Sequence, residues 1–132
     1  MAADRGLMHV SAVNKENERK NMSNIRIKMR ESSTGNGAKI TVEELLDEIQ
    51  MNGKCSLFAK VTMEPEAVLG YHEHHGETET YYILSGQGEY DDNGRKVPAA
   101  KGDVFFCNDG CGHDIRCIGE EPLSFMALII NG

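Results

Sequence analysis

Residues 70–86 read GYHEHHGETETYYILSG, and they place several side chains that can bind metal just before an apolar strand. Alternate side chains of an extended chain share a face, so we expect His72 and His74 to point in the same direction. Gly76 allows the chain to turn, and Glu79 can then reach the same point from the next strand. With His113 as a fourth donor, this stretch predicts a metal site of three histidines and one glutamate.

The spacing of these side chains resembles the first sequence motif of the cupin family, G-x5-H-x-H-x(3,4)-E-x6-G. His72, His74, Glu79 and Gly86 occupy the corresponding positions. The first glycine of the motif would fall at position 66, where this chain has Glu66. That departure affects a turn leading to the site and none of the candidate ligands.

The second cupin motif, G-x5-P-x-G-x2-H-x3-N, is similar to a segment in the last third of the chain. Gly102, Gly110 and His113 match it, whereas Asn108 replaces the proline and Cys117 replaces the asparagine. The resemblance implies a double-stranded β-helix, the jelly-roll barrel of that family. It does not select a reaction, because cupins include dioxygenases, sugar isomerases, epimerases and proteins that only bind or store ligands.

The composition and charge of the sequence argue against two classes of binding partner, membranes and nucleic acids. The 132 residues suit a single domain, and no apolar run approaches the roughly 18 residues that would span a bilayer, so we expect no membrane partner. The net charge is −7, and residues 1–30 contain seven of the 14 Lys and Arg but only three of the 21 Asp and Glu. The remaining body is strongly acidic and would repel phosphate, so we expect no nucleic-acid partner.

Residues 1–22 are polar and lack apolar periodicity, which predicts a flexible N-terminal arm before a barrel domain over residues 23–132. The arm also lacks the apolar core of a signal peptide. Because the four cysteines show no disulfide framework, we expect reduced thiols and a cytoplasmic location. His9 lies in the arm and is not a candidate ligand.

Two elements are predicted before the motif region. Ile25, Ile27 and Met29 alternate with polar residues, which is typical of a half-buried strand. A helix is predicted from Thr41 to Met51, because its first four residues have the pattern of a capping box and Asn52-Gly53 can end it. The apolar stripe of this helix should pack against the outside of the sheet and consists of Val42, Leu45, Leu46 and Ile49.

From Cys55 onward, short runs rich in β-branched and aromatic residues alternate with turn sequences. They predict a β-barrel or sandwich. We therefore expect an all-β fold, the jelly-roll barrel that the cupin resemblance implies, with one short helix. The seven predicted strands span residues 56–63, 80–85, 88–90, 95–97, 104–107, 114–118 and 123–130.

Neutral imidazole and carboxylate suit borderline divalent metals, and Fe, Mn, Ni, Co and Zn all accept such donors. Four protein donors around a six-coordinate ion leave two positions for water or a ligand. We predict a metalloenzyme that acts on an oxygen-bearing small molecule by dioxygenase or isomerase chemistry. The alternative is a non-catalytic module that binds or senses a small ligand through the same metal, because no side chain besides the ligands is an obvious general base.

Other side chains near the motifs receive different predictions. His75 has the opposite strand parity from the candidate ligands and should face away or lie on the loop. Glu77 shares the parity of Glu79 but not its motif distance to Gly86, so we expect it at the rim or behind a ligand. Tyr81 should face the same side as Glu79, where it could donate a hydrogen bond to a ligand or serve only the core.

The cysteines could suggest a zinc site, but the spacing of Cys107, Cys111, His113 and Cys117 is not that of a zinc module. We expect Cys55 and Cys107 to be buried as small apolar side chains. Cys111 is the thiol expected to reach the cavity. Cys117 shares the inward parity of His113 and should line the barrel.

The last predicted strand, from Leu123 to Ile130, is apolar on both faces. One face can cover the barrel interior, and we expect the other to meet a second subunit in a homodimer. The predicted helix is the alternative cover, because it could lie across the same surface within one chain.

Overall fold

The computed structural model describes residues 26–132, so the flexible arm predicted for residues 1–22 lies outside the described residues. Within the described part, no helix is long and apolar enough to cross a membrane. The elements in chain order are β1 (Arg26–Glu31), β2 (Lys39–Glu44), α1 (Glu48–Met51), β3 (Cys55–Met63), β4 (Val68–Glu73), β5 (Glu77–Ser85), β6 (Gln87–Asp92), β7 (Arg95–Ala100), β8 (Val104–Cys107), β9 (Gly112–Ile118) and β10 (Leu123–Asn131).

The strands form two antiparallel sheets. One has six strands in the order β1-β2-β3-β10-β5-β8, and the other has four in the order β4-β9-β6-β7. The chain passes repeatedly between the sheets, so β4 and β5, which are joined through Gly76 at a φ of 77°, belong to different sheets. Side chains from both sheets, such as Phe125 and Ile115, share one buried core. This arrangement confirms the predicted all-β jelly roll.

The structure contradicts the helix predicted from Thr41 to Met51. Its first residues belong to β2, which pairs with β1 on one side and with β3 on the other. Sheet pairing prevails because it buries Ile40, whereas Ile49 of the predicted helical stripe is 87% exposed. The helix that does form, α1, has four residues and begins after Asp47, which makes the capping box with Gln50.

The prediction that this first strand is half-buried is wrong, because all six residues of β1 are exposed. Ile27 and Met29 were expected to be half-buried, but they are 60% and 61% exposed. Lys28 and Arg30 instead line a cavity between the sheets. Electrostatic attraction contributes to this orientation, because Lys28 Nζ lies 3.4 Å from the carboxylate of Glu44, which lines the same cavity. The edge strand therefore presents cations inward and apolar side chains outward.

Glu66, at the position of the first motif glycine, has a φ of 71°. This left-handed region favours glycine, because a side chain there crowds the backbone at a cost of about 1 kcal/mol. Two hydrogen bonds hold the turn, one from Ala67 N to Glu64 O at 3.0 Å and one from Asn36 Nδ2 to the Glu66 carbonyl at 2.9 Å. The turn of the motif therefore forms without its glycine.

Candidate metal centre

The structure brings the four predicted ligands together between the two sheets. Each of His72, His74, Glu79 and His113 offers one ligand atom, and these atoms lie within 4.8 Å of one another. His72 on β4 and His113 on β9 are direct partners in the strand register, whereas Glu79 comes from β5 in the other sheet. His74, Glu79 and His113 are buried and His72 is partly buried, so the group faces the interior.

The Nε2 atom of His113 contacts all three other donors. It lies 2.9 Å from His72 Nε2, 3.0 Å from His74 Nε2 and 2.9 Å from Glu79 Oε1. The same carboxylate oxygen lies 3.0 Å from His74 Nε2 and 3.5 Å from His72 Nε2. Neighbouring donors on a six-coordinate ion with bonds of about 2.1 Å are about 3.0 Å apart, so this spacing fits one divalent metal ion.

Hydrogen bonds at the other ring nitrogens leave the Nε2 atoms available as ligands. His72 Nδ1 lies 2.8 Å from the Gly70 carbonyl oxygen, and His74 Nδ1 lies 2.6 Å from Glu77 Oε2. The carbonyl and the ionised carboxylate only accept, so each neutral imidazole donates from Nδ1 and carries a lone pair at Nε2. Lone pairs held this close repel one another unless a cation lies between them, and this donor chemistry also fits a divalent metal.

Two residues orient the candidate ligands from behind. Glu77 contacts Nδ1 of His74 and so lies behind a candidate ligand, one of the two places predicted for it. Tyr90 is the second of these residues and was not predicted from the sequence. Its hydroxyl lies 2.7 Å from His113 Nδ1, and its ring stacks on Phe105 with ring centroids 4.2 Å apart. The only signal for Tyr90 in the sequence was its position in a predicted strand.

His75 lies in the loop between β4 and β5 and faces away from the centre, in agreement with the prediction. The residue is exposed, and its Nε2 atom lies 3.2 Å from Glu73 Oε1, a second exposed side chain. His75 follows His74 directly but shares no contact with the donor group among these hydrogen bonds and ion pairs. It therefore serves as an internal control for experiments on the candidate ligands.

The carboxylate of the group is ionised at neutral pH. Burial opposes ionisation of Glu79, but hydrogen bonds that His113 and His72 donate from Nε2 when that nitrogen carries a proton outweigh it and lower the pKa of Glu79 from 4.5 to about 2. The hydrogen bond with Glu79 also raises the pKa of His72 above its ordinary value. Tyr81 stacks on His113 with ring centroids 4.9 Å apart, and burial raises the pKa of Tyr81, so its hydroxyl stays protonated.

The donor group borders a cavity of about 370 Å³. Tyr81 lines this cavity as predicted, whereas Cys111 is not among the lining residues, contrary to the prediction. The inner face of β1 contributes Lys28 and Arg30. The apolar part of the wall consists of Ile40, Val42, Leu57, Val61, Leu69, Phe125, Ala127 and Ile129.

The four cysteines are free. Cys107 and Cys117 are buried as predicted, but Cys55 is only partly buried. Cys111 contributes through its backbone, because its carbonyl oxygen accepts a hydrogen bond from His74 N at 3.0 Å. The residue thus helps to fix the chain at a candidate ligand without bringing its thiol into the cavity.

We expect iodoacetamide to distinguish these thiols in the folded protein at about pH 8. Burial raises the pKa of Cys107 to about 11, so this residue holds about a hundredfold less reactive thiolate than an ordinary cysteine. Peptide mass spectrometry should find Cys55 and Cys111 alkylated first, and Cys107 only as the pH rises towards 11. Rapid alkylation of Cys107 near neutral pH would contradict its burial.

Comparisons with known proteins agree with this architecture. The family model described as Cupin domain matches residues 59–129. An oxalate-binding protein from Thermotoga maritima is 41% identical over 96 residues, which cover 73% of this chain and 79% of that protein. The crystal structure of a predicted oxalate decarboxylase from Thermotoga maritima has 37% identity and a TM-score of 0.77, and the match covers 83% of this chain and 96% of that chain.

A more distant structure shows the fold alone. The cupin domain of Cnp3 from Schizosaccharomyces pombe has 17% identity and a TM-score of 0.64, over 80% of this chain and 88% of that chain. The family model covers more than half of this sequence and includes all four candidate ligands. The sequence match and the two-sheet jelly roll together show that this chain belongs to the cupin domain family.

Proposed function

We propose that the chain binds one divalent metal ion through His72, His74, Glu79 and His113 and uses it to bind a small carboxylate such as oxalate. The observation that carries the proposal is the convergence of three Nε2 atoms and a carboxylate oxygen on one point. Fe, Mn, Ni, Co and Zn are the candidate metals. A bound ion would supply a positive centre that attracts carboxylate oxygens. The oxalate-binding relative supports a carboxylate as the ligand.

The charges around the cavity support an acidic ligand. A divalent ion and the ionised Glu79 together carry one net positive charge. Arg30 adds a second on the cavity wall, and among residues 26–132 it makes no ion pair that would neutralise it. A guanidinium can donate two parallel hydrogen bonds, so Arg30 suits the oxygens of a dianion that point away from the metal.

The cavity favours binding over catalysis. Within the described part of the chain, only two carboxylates line it, and Glu79 belongs to the donor group. The other, Glu44, lies 3.1 Å from Arg26 Nε and 3.4 Å from Lys28 Nζ and is therefore neutralised. No carboxylate is left as the free acid or base that isomerase chemistry would use, so we propose the binding module rather than an isomerase.

Calorimetry of oxalate with Mn²⁺-loaded protein and with chelator-treated protein tests the proposal. We expect saturable binding to the loaded protein alone. Arg30→Gln should weaken oxalate binding about tenfold without changing metal content, because it removes a charged hydrogen-bond donor. Arg95→Gln is the matched control, because Arg95 is exposed on β7 and does not line the cavity, and it should change neither oxalate binding nor metal content. Equal oxalate binding after metal removal would contradict the proposal, and loss of oxalate over time would show catalysis instead.

Acidification should release the metal. A protonated imidazole cannot bind metal, and the hydrogen bond with Glu79 raises the pKa of His72 above 6.5. Protons therefore compete for His72 already above that pH, whereas Glu79, with a pKa of about 2, stays ionised. We expect metal affinity in equilibrium dialysis to fall steeply between about pH 7 and pH 5. Retention of the metal down to about pH 3 would argue against histidine ligands.

We also propose a homodimer that forms through the outer face of the six-stranded sheet. On this face Tyr82, Val104 and Phe106 are 47%, 61% and 56% exposed. Met126 lies beside Tyr82 in the strand register and extends the apolar surface onto β10. The predicted helix, which was the alternative cover for this face, does not form, and α1 has no buried residue. A second copy about a two-fold axis is the commonest way to cover such a surface.

Sedimentation velocity at micromolar concentration should show a species of about twice the 14.6 kDa chain mass. Phe106→Glu should convert it to monomer, because it places a charge in the apolar surface. Ile49→Glu on α1 adds the same charge at an exposed position outside this face and should leave the dimer intact. A single 14.6 kDa species for the unmodified protein would refute the dimer.

We further propose a cytoplasmic location. The free state of all four cysteines supports it, because reduced thiols persist in that compartment. Fractionation of the source cells with an antibody against the protein would test the location directly.

A further inference from the structure

The cavity beside the donor group is larger than oxalate requires. Its volume of about 370 Å³ lies within the range of pockets that hold ligands the size of a drug molecule. Oxalate consists of two carboxylates joined directly and has no apolar part. It would occupy the space next to the donor group and leave most of the cavity to water.

The part of the cavity wall that β3 and β10 contribute is chemically unlike oxalate. An apolar surface begins beside the donor group, because Ile129 on β10 is the register partner of Glu79 and Leu57 on β3 is the register partner of Ile129. Adjacent strands lie about 4.8 Å apart, so this surface extends about 10 Å from the strand of Glu79. Val61 and Phe125, a second pair of register partners, continue it. This part of the wall gains nothing from a second carboxylate and gains from an apolar chain, whereas Arg30 lies on the part of the wall that β1 contributes.

We propose that the preferred ligand is a 2-oxo or 2-hydroxy acid with an apolar chain of several carbons, rather than oxalate itself. One carboxylate oxygen and the 2-oxo or 2-hydroxy oxygen can form the same five-membered ring with a metal that oxalate forms through one oxygen of each carboxylate. The apolar carbon chain of the ligand would then lie along Leu57, Val61 and Ile129 and displace water from these side chains. This inference rests on the proposed metal-dependent binding of a carboxylate.

Calorimetry with Mn²⁺-loaded protein and a homologous series of acids tests the inference. The probes are oxalate, pyruvate, 2-oxobutanoate, 2-oxopentanoate and 2-oxohexanoate, in which the chain lengthens by one methylene at each step after pyruvate. Each methylene that leaves water should tighten binding about fourfold. Hexanoate, which lacks the 2-oxo group, is the control for chelation and should bind far more weakly than 2-oxohexanoate.

A matched pair of variants tests where the carbon chain of the ligand lies within the cavity. Leu57→Asn replaces a half-buried cavity residue by a polar one of similar size. It should remove most of the increase in affinity that a longer ligand chain gives. It should leave metal content and oxalate binding unchanged. Leu84→Asn makes the same change at a half-buried residue of β5 that does not line the cavity, so the increase in affinity with ligand chain length should remain.

The outcomes separate this inference from the proposed function. Metal-dependent oxalate binding, with no increase along the 2-oxo acid series, would overturn the inference and leave the proposed function in place. Equal binding of hexanoate and 2-oxohexanoate would overturn it as well, because chelation would then contribute nothing. If no acid binds in a metal-dependent manner, the proposed function itself is wrong.

Discussion

His113→Ala should abolish metal binding, with metal content below about one tenth of that of the unmodified protein after dialysis against Mn²⁺ or Zn²⁺. The reason is geometric, because His113 Nε2 lies within 3.0 Å of the donor atoms of His72, His74 and Glu79. His113 is also completely buried, so water cannot easily take its place. Mass spectrometry of the metal content after acid digestion measures the effect.

His75→Ala is the control for this experiment. It removes an imidazole next to the centre, but from an exposed position whose ring contacts Glu73. Circular dichroism should show a β-rich spectrum for both variants, because the fold rests on the apolar core between the sheets and not on the metal. Full metal content in a folded His113→Ala protein would remove the basis of the assignment.

Glu79→Gln should weaken metal binding at least a hundredfold. Glu79 is the only anionic donor in the group, and its low pKa keeps it charged throughout the neutral range. Glu77→Gln should weaken binding only about tenfold, because Glu77 acts on His74 through a hydrogen bond of 2.6 Å that orients the ring. Competition with a chromogenic chelator gives both affinities on one scale.

The ranking of the two glutamate variants is the decisive result. The substitutions are identical in chemistry and lie two residues apart on β5, so differences in fold stability should be small. A larger loss for Glu77→Gln than for Glu79→Gln would show that Glu77 is the ligand. Equal losses would show that the metal binds between the two carboxylates and not at the convergence point of the histidines.

The candidate site could be predicted from the sequence because its residues follow strand parity. In extended segments, position alone determines the face, so His74 and His75 could be separated correctly. The spacing from Glu79 to Gly86 likewise distinguished Glu79 from Glu77. Contacts across the barrel carry no such signal, and Tyr90 was therefore missed although it touches His113.

The N-terminal half of the fold was harder to predict because its sequence fits two periodicities. Residues 40–51 contain an apolar stripe of helical spacing, yet their first part also alternates as a strand. Whether the first part of this segment forms a helix or a strand depends on its pairing with β1 and β3, and the local sequence alone does not reveal that pairing. The burial of β1 was predicted wrongly for a related reason. Burial of Ile27 was inferred from its apolarity, but an edge strand offers little core on either face.

The left-handed turn at Glu66 bears on how distant relatives of this chain can be detected. A pattern search that demands glycine at this position would reject the sequence, although the backbone adopts a φ of 71° there. The glycine in the motif thus denotes a backbone angle, which another residue can adopt at a cost of about 1 kcal/mol. Searches based on H-x-H-x4-E-x6-G, or on the geometry of the turn, should recover family members that the full pattern omits.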